Sequence, residues 1–333
     1  MKILLIQTAS IGDVILATPV LEELHQAYPS AEIDFLIKKG IEGLFNGHPF
    51  ICQLIVWDKK NKFKNFLRIL GKVRKTKYDL VINIQRFALT GILTAFSGAG
   101  RTVGFRKNPF SILFSERMKH HIEQGIHEVE RNLSLIQALL PPAQKAKASV
   151  RTPKPRLYPS AADEARVLTF KMHRFICISP ASLWFTKQFP VIKWVELIRS
   201  MPDGIFVYLL GSSADIPLCQ EIVIQSGREN LQILAGDLSF LESAALMSDA
   251  MMNYTNDSAP MHLASAVNAP AAAVYCSTIP EFGFGPLSEK QWIIQSRKKL
   301  PCRPCGLHGK KECPLGHFEC AMTINVNQFP PLS

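Results

Sequence analysis

Short apolar runs alternate with amphipathic stretches along most of the 333 residues, and this alternation is the strongest constraint on the fold. The stretch 15–27, for example, puts Leu16, Val20 and Leu24 on one face of a helix. Alternating strands and helices are typical of a parallel, doubly wound sheet, so an α/β protein is predicted. The predicted strands are 3–6, 33–37, 51–56 and 80–84 in the first half, and 175–179, 205–210, 231–234, 251–254 and 271–275 in the second.

A proline-rich stretch at 141–159 (PPAQKAKASVRTPKPRLYP) interrupts this alternation. Its lack of periodicity predicts an interdomain linker. A chain of this length can bury two cores. We therefore predict two facing Rossmann-like domains, 1–150 and 160–333, with a ligand cleft between the carboxyl ends of the two sheets.

The loop after the first predicted strand carries one glycine and one carboxylate. Its sequence, Ser10-Ile11-Gly12-Asp13, lacks the G-x-G-x-x-G fingerprint, which counts against a nicotinamide-dependent oxidoreductase. Two roles remain open for Asp13. It can cap the helix that follows, or it can act as a general base aimed into a closing cleft.

A second loop, 179–190 (SPASLWFTKQFP), follows a predicted strand in the second half. Lys187 can supply a charge to a bound phosphate, and the hydroxyl of Ser182 can supply a directional bond. The alternative for Lys187 is an ordinary solvated lysine on a loop.

The segment 256–266 (NDSAPMHLASA) has the sequence of a helix start. Asp257 or Ser258 suits the N-cap, and Pro260 suits the first turn. The N–H groups of such a turn bind anions, so a phosphate site is predicted here. The alternative for His262 is a core histidine that faces the sheet.

These motifs together resemble glycosyltransferase family 9, the ADP-heptose:lipopolysaccharide heptosyltransferases. The opening loop matches S-x-G-D-x-x-x-x-x-P through Pro19, and the second loop ends in a Thr-Lys-x-x-Pro pattern. The helix start matches D-[ST]-G-x-x-H-x-A except at Ala259, where the family usually has glycine. Because 101–105 (RTVGF) and 127–133 (HEVERNL) also match, the resemblance covers almost the whole chain. It implies the two-domain GT-B architecture and inverting, metal-independent transfer.

The resemblance also implies roles for single residues, with Asp13 as the general base. Asn83 is a second departure, because it is neutral in a segment where relatives usually carry a carboxylate. The residues implied for donor binding are Ser182, Lys187, Leu238, Asp257, Ser258, Ala259 and His262. Those implied for acceptor binding are Ser10, Gly12, Arg86 and Arg106.

Charge and the absence of a metal motif narrow the expected partners. No D-x-D occurs in the sequence, so neither a Mg²⁺ or Mn²⁺ clamp nor another cofactor is expected. The formal net charge of +11 predicts an anionic partner. Charge alone does not choose among nucleic acid, an acidic membrane surface and a phosphorylated substrate, and no nucleic-acid motif is recognisable. The resemblance implies that the partners are a nucleotide sugar, ADP-heptose, and an anionic lipid-linked saccharide.

The sequence has neither a secretory h-region nor an apolar run of about 18 residues, so a cytoplasmic protein is expected. The basic stretch 58–78 contains an apolar stripe. We predict a surface helix whose stripe packs on the sheet. The alternative is an interfacial helix that makes peripheral contact with the inner membrane.

Eight cysteines are present, and four of them form the series Cys302-x2-Cys305-x7-Cys313-x6-Cys320. Reduced structural thiols are favoured, with a zinc site or disulfides as alternatives. The other four, Cys52, Cys177, Cys219 and Cys276, lie in apolar runs and are predicted to be buried thiols.

The leading functional prediction is an inverting enzyme that moves heptose from ADP-heptose to the inner core of lipopolysaccharide. One alternative keeps the fold and uses another sugar nucleotide for O-antigen or capsule assembly. The other alternative, from a different class, is a non-catalytic basic binding protein.

Overall fold

The computed structural model describes residues 1–120, 122, 125–142 and 153–332, with only the backbone of Lys62. Contacts divide the chain into two compact units, unit 1 (Met1–Tyr158) and unit 2 (Pro159–Ser333). Of the predicted linker, 143–152 lies outside the described residues. The residues just after it pack on unit 1: the Arg156 N–H donates to Thr18 Oγ1 (2.9 Å), and the Tyr158 hydroxyl donates to Glu22 (2.7 Å).

Unit 1 contains a six-stranded parallel sheet in the order β3-β2-β1-β4-β5-β6. The side chains of β1 and β4 are almost all apolar and buried, as a sheet covered on both faces requires. The strands are β1 (Lys2–Ile6), β2 (Glu32–Lys38), β3 (Gln53–Trp57), β4 (Leu80–Asn83), β5 (Arg101–Phe105) and β6 (Glu116–Met118).

Within the described residues, the helices of unit 1 are α1 (Ile11–Ile15), α2 (Thr18–Ala27), α3 (Lys62–Thr76), α4 (Ala88–Ala95) and α5 (Glu128–Ser134). The single helix predicted for 15–27 is wrong at its start, because α1 ends where that helix was expected to begin. Pro19 has no N–H for a continuous ladder, and the Thr18 hydroxyl donates to the Ile15 carbonyl instead (2.8 Å). Pro19 then lies in the first turn of α2, where proline is favoured.

Helix α3 is the predicted basic helix, and its stripe is only partly buried. Phe66 and Val73 pack into the core of unit 1 with Leu70 beside them. Phe63 and Leu67 are exposed. The surface-helix prediction therefore holds for the buried half of the stripe.

Unit 2 repeats the architecture with the order β12-β11-β10-β7-β8-β9, again parallel throughout. Its strands are β7 (Phe175–Ser179), β8 (Phe206–Leu209), β9 (Leu231–Ile233), β10 (Asn253–Asn256), β11 (Ala271–Tyr275) and β12 (Gln291–Gln295). Its helices are α6 (Ala161–Val167), α7 (Val191–Arg199), α8 (Ile216–Ser226), α9 (Phe240–Asp249), α10 (Ala259–Ala266) and α11 (Glu319–Met322).

The end of the chain belongs to the core of unit 2. Cys320, Ile324 and Phe329 are buried in the same apolar cluster as Trp194 of α7. The cysteine-rich segment that precedes them is therefore held from both sides by packed residues.

Both sheets have the Rossmann order, in which the first and fourth strands of the unit are neighbours at the centre. The predicted α/β class with two Rossmann-like units is confirmed. Among the cysteines, Cys177, Cys219 and Cys276 are buried as predicted, but the prediction for Cys52 is wrong because it lies exposed just before β3. No helix in the described part of the chain has both the length and the apolar character needed to cross a bilayer.

Candidate active site

The predicted site residues follow the central strands of the two sheets. In a doubly wound sheet, ligands bind outside the carboxyl ends of the strands where the strand order reverses. In unit 1 that point lies between β1 and β4, and Ser10–Asp13 and Arg86 follow these strands. In unit 2 it lies between β7 and β10, and Ser182, Lys187 and Asp257 follow those.

Asp13 closes a capping box at the start of α1. Its Oδ2 accepts bonds from the Ser10 backbone N–H (3.1 Å) and from the Ser10 hydroxyl (2.5 Å). The Asp13 N–H in turn donates to Ser10 Oγ (3.4 Å). Ser10 is therefore the N-cap residue, and Asp13, in the first turn of α1, completes the capping box. Asp13 is also half-buried rather than enclosed. The two roles proposed from the sequence are compatible, because Ser10 fixes the orientation of a carboxylate that solvent still reaches.

The acceptor residues predicted in unit 1 share this edge of the sheet. Gly12 is buried within α1 and Ser10 is exposed at its start. Arg86 follows β4, Arg106 follows β5, and both are exposed. Because β1, β4 and β5 are consecutive in the sheet, the structure places all four on neighbouring loops.

Two buried polar side chains lie at the end of β4. The sequence analysis noted Asn83 only as a departure from the family and did not consider Gln85. Asn83 Oδ1 accepts from the Gln85 N–H (2.8 Å), and both residues are buried. Within the described residues, Asn83 Nδ2 and Gln85 Oε1 have no hydrogen-bond partner. The signal was present in the sequence, since Asn and Gln interrupt the apolar run LVINIQ.

Two of the residues predicted to bind the donor, Lys187 and Asp257 of unit 2, form an ion pair. Lys187 Nζ lies 2.7 Å from Asp257 Oδ2, and the side chains are only 15% and 8% exposed. The Thr278 hydroxyl donates a second bond to the same oxygen (2.6 Å). The pair joins the loop after β7 to the start of α10, so the ammonium group stands beside the first turn of that helix.

Asn256, the last residue of β10, holds the Lys187 loop and was missed as a functional residue. It is fully buried, and its Oδ1 accepts from the Phe189 N–H (2.8 Å). Its Nδ2 donates to the carbonyls of Pro180 (2.8 Å) and Ala181 (3.3 Å). One amide therefore closes both ends of the loop that carries Ser182, which is half-buried, and Lys187.

Helix α10 begins where the sequence predicted a helix start. Ser258 is the N-cap residue, without a side-chain cap bond to the helix, and Pro260 lies in the first turn. Ala259, which stands where the family usually has glycine, carries no backbone strain, because it is not among the residues with positive φ in the described part of the chain. His262 is buried one turn into the helix. Asp257 and Ser258 thus lie next to the backbone N–H groups of the first turn of α10.

Leu238 lies further along the same edge. It is half-buried in the loop between β9 and α9, two strands from β7. The neighbouring loop is tied to it, because the Gly236 N–H donates to the Gly211 carbonyl (2.9 Å). Leu238 therefore shares the carboxyl edge with the Lys187 loop.

The cysteine-rich segment packs directly on the Lys187 loop, a contact that the sequence did not predict. Thr186 is buried, and its Oγ1 accepts from the Lys310 N–H (2.7 Å) and the Ser277 hydroxyl (3.0 Å). The Thr186 N–H donates to the Lys310 carbonyl (3.1 Å). Gly309 has φ +73°, and a Cβ there would lie 2.8 Å from Lys187 Cγ. Only glycine lets this segment approach the lysine so closely.

Comparison with known proteins identifies the family. The sequence profile of glycosyltransferase family 9 (heptosyltransferase) matches residues 66–317, which is more than half of the chain. The chain belongs to glycosyltransferase family 9. Two relatives are lipopolysaccharide heptosyltransferase 1 of Pseudomonas aeruginosa (26% identical, covering 92% of this chain and 86% of the relative) and lipopolysaccharide heptosyltransferase 3 of Escherichia coli K12 (28%, 88% and 88%).

A solved structure supports the same fold. The structure of E. coli ADP-heptose lps heptosyltransferase II superposes with a TM-score of 0.77 at 23% identity, covering 92% of this chain and 96% of that one. The GT-B fold class predicted from the sequence is confirmed, and this family 9 protein is a glycosyltransferase.

The four clustered cysteines of this family 9 glycosyltransferase are free thiols. Cys302 Sγ lies 3.9 Å from His317 Nε2. In the described residues, no three His, Cys, Asp or Glu side chains are grouped closely enough to hold a metal ion. Burial raises the pKa of Cys320 to about 11 and also raises the pKa of Cys305. The Cys305 and Cys320 thiols are therefore protonated near neutral pH. The zinc alternative stays a prediction for metal analysis.

Proposed function

We propose that this family 9 glycosyltransferase transfers heptose from ADP-heptose to the inner core of lipopolysaccharide. The observation that carries the proposal is the Lys187–Asp257 pair beside the start of α10. The pair places the Lys187 ammonium group next to the backbone N–H groups of the first turn of α10. Both lie at the carboxyl ends of the strands, where α/β proteins bind nucleotides. The names of the relatives, which are lipopolysaccharide heptosyltransferases, supply the sugar and the acceptor class.

In this proposal the donor diphosphate lies at the start of α10. Lys187 and the N–H groups of Ser258 and Ala259 balance its charge, and Ser182 donates a hydroxyl bond. The negative charge on the leaving ADP grows in the transition state, so these fixed donors stabilise the transition state more than the bound substrate. Leu238 contacts the adenine, and His262 supports the first turn from inside. No metal ion takes part.

Asp13 is the general base in this proposal. Its carboxylate removes the proton of an acceptor hydroxyl while that oxygen attacks the anomeric carbon. The bond from that carbon to the ADP oxygen breaks, so the sugar configuration inverts. Ser10 holds Asp13 Oδ2 in place through two hydrogen bonds. Ser10 and Gly12 also belong to the acceptor side of the site in this proposal. Arg86 and Arg106 receive anionic groups of the acceptor.

The proposal also includes a cytoplasmic location with peripheral contact at the inner membrane. A lipid-linked acceptor is confined to a membrane surface, so the enzyme must reach that surface to meet it. The net charge of +11 favours an anionic surface.

Calorimetric titration with a panel of sugar nucleotides tests the donor. ADP-heptose should bind most tightly, ADP should bind in the same site, and UDP- and GDP-sugars should bind at least tenfold more weakly. A tighter fit for another sugar nucleotide would replace ADP-heptose and favour the O-antigen or capsule alternative. Absence of binding to every member of the panel would favour the non-catalytic alternative.

A further inference from the structure

Two loops of unit 1 are locked together at the carboxyl ends of β4 and β5. Buried Asn108 donates from Nδ2 to the carbonyls of Gln85 (3.0 Å) and Phe87 (3.0 Å). Its side chain also fills the space beside Gly91, where a Cβ would lie 2.0 Å from Asn108 Oδ1. The loops 84–91 and 106–114 therefore form one fixed surface.

This surface exposes four large apolar side chains. Phe87 is 53% exposed, Leu89 39%, Ile112 74% and Leu113 54%. We call these four residues the β4–β5 patch. Single exposed apolar residues are common on proteins and need no explanation. A group of four on two locked loops, with α4 in contact with the turn Ser111–Leu113, is a different observation and indicates a binding surface.

The surroundings of the patch are strongly basic. Residues 84–120 contain a single acidic residue, Glu116, and it is paired with Arg101. Each Lys or Arg near an anionic membrane surface adds electrostatic attraction to it. The remaining basic side chains of this stretch are all exposed: Arg86, Arg106, Lys107, Arg117 and Lys119.

We propose that the β4–β5 patch docks unit 1 on an anionic lipid bilayer. Aliphatic side chains with cations around them suit the bilayer interface, where apolar groups enter the acyl region and cations stay among the phosphates. A nucleic acid would use the cations but would leave Ile112 and Leu113 without a partner. The position of the patch relative to Asp13 also agrees with this proposal. The last paired residues of β1 and β4 are Ile6 and Asn83, so the loop that leads to Asp13 begins beside the loop that carries the patch.

The inference deepens the proposed function by naming the surface of the membrane contact, and it rests on that function only for the identity of the acceptor. A vesicle assay without any sugar nucleotide therefore tests it separately. If ADP-heptose fails to bind while vesicles do bind, the donor assignment falls and the docking surface stands.

The test is sedimentation of the full chain with vesicles of phosphatidylethanolamine and phosphatidylglycerol, compared with phosphatidylcholine vesicles. The wild-type chain should bind the anionic vesicles, and binding should weaken with salt. Ile112→Ser/Leu113→Ser should bind at least tenfold more weakly with an unchanged melting temperature and unchanged ADP binding. Lys107→Gln/Arg117→Gln should bind more weakly and show a smaller salt dependence.

Helix α3 supplies a matched control, because it also exposes two large apolar side chains in a basic segment. Phe63→Ser/Leu67→Ser should bind vesicles within twofold of wild type. The proposal is overturned if this α3 variant loses binding and the patch variant keeps it, or if the wild-type chain ignores anionic vesicles. It is also overturned if the patch variant only dissociates a dimer of this chain, because the patch would then serve self-association.

Discussion

The Lys187–Asp257 pair gives the sharpest test of the donor site, because stability and affinity should respond differently to the same substitutions. Lys187→Met removes the charge and keeps most of the apolar stem. Asp257, with a side chain only 8% exposed, then remains buried with the Thr278 hydroxyl as its recorded hydrogen-bond donor. Breaking one side of a buried pair costs about 3–5 kcal/mol. Since Thr278 stays and Lys187 is partly exposed, we expect about 2–3 kcal/mol.

The double variant Lys187→Met/Asp257→Asn removes both charges. Asparagine can still accept the Thr278 bond, so the free energy of unfolding should return to within about 1 kcal/mol of wild type. ADP affinity should not return. Loss of a charge-assisted bond of about 1–3 kcal/mol weakens ADP binding roughly 5- to 150-fold in the single variant, and the double variant should bind no better.

Urea unfolding and calorimetry with ADP provide the two measurements. Tryptophan fluorescence suits the first, because Trp184, Trp194 and Trp292 report on unit 2 and only Trp57 reports on unit 1. A double variant no more stable than the single one would refute the pair as an energetic unit. Unchanged ADP affinity in Lys187→Met would remove this lysine from the donor site.

Four further predictions concern catalysis, the tail, pH and metal. Asp13→Asn keeps a side chain that can accept the cap bonds but removes the proton acceptor, so kcat should fall about 10²–10⁴-fold with donor affinity unchanged; near-wild-type kcat would leave only the cap. Gly309→Ala should cost about 1 kcal/mol of stability and weaken ADP binding by crowding Lys187. Gly306→Ala is the control, because φ is +119° there but no atom lies near the added Cβ, so this variant should lose stability and keep its ADP affinity. An equal loss of ADP affinity in the Gly306 and Gly309 variants would contradict the contact between Gly309 and Lys187. Burial lowers the pKa of His48 to about 4 in the folded chain. Between pH 6.5 and 4 the histidine is therefore protonated in the unfolded chain and neutral in the folded chain. Stability should therefore fall by up to about 3 kcal/mol as the pH drops from 6.5 to 4, and urea melts of His48→Asn should lack this slope. Turnover should survive EDTA and metal analysis should find no stoichiometric zinc, whereas about one zinc per chain would favour the zinc alternative.

The sequence predicted the fold class because most strands are buried on both faces and appear as continuous apolar runs. It failed for β5, β6 and β12, whose sequences RTVGF, ERM and QWIIQ mix polar with apolar residues. β6 and β12 are edge strands, where one side of the strand has no neighbour and polar residues are tolerated. The break between α1 and α2 could have been predicted from Pro19, because proline is favoured in the first turn of a helix and not in its interior.

The candidate site was predictable where function depends on local sequence. The start of α1 follows from the capping pair Ser10 and Asp13, and the start of α10 follows from Ser258 and Pro260, all of which are close in the chain. The Lys187–Asp257 pair depends on β7 and β10 being neighbours, and strand order is set by tertiary packing. The bond between Thr186 and Lys310 spans 124 residues, so no local pattern could indicate that the tail supports the donor loop.

The most direct test of the central claim is heptosyl transfer itself. The purified chain is incubated with ADP-heptose and lipopolysaccharide truncated within its inner core, and the mass of the product is measured by mass spectrometry. The account predicts a gain of one heptosyl unit that depends on ADP-heptose and is nearly lost in Asp13→Asn. No gain with ADP-heptose, alongside a gain of another sugar from a different sugar nucleotide, would contradict it.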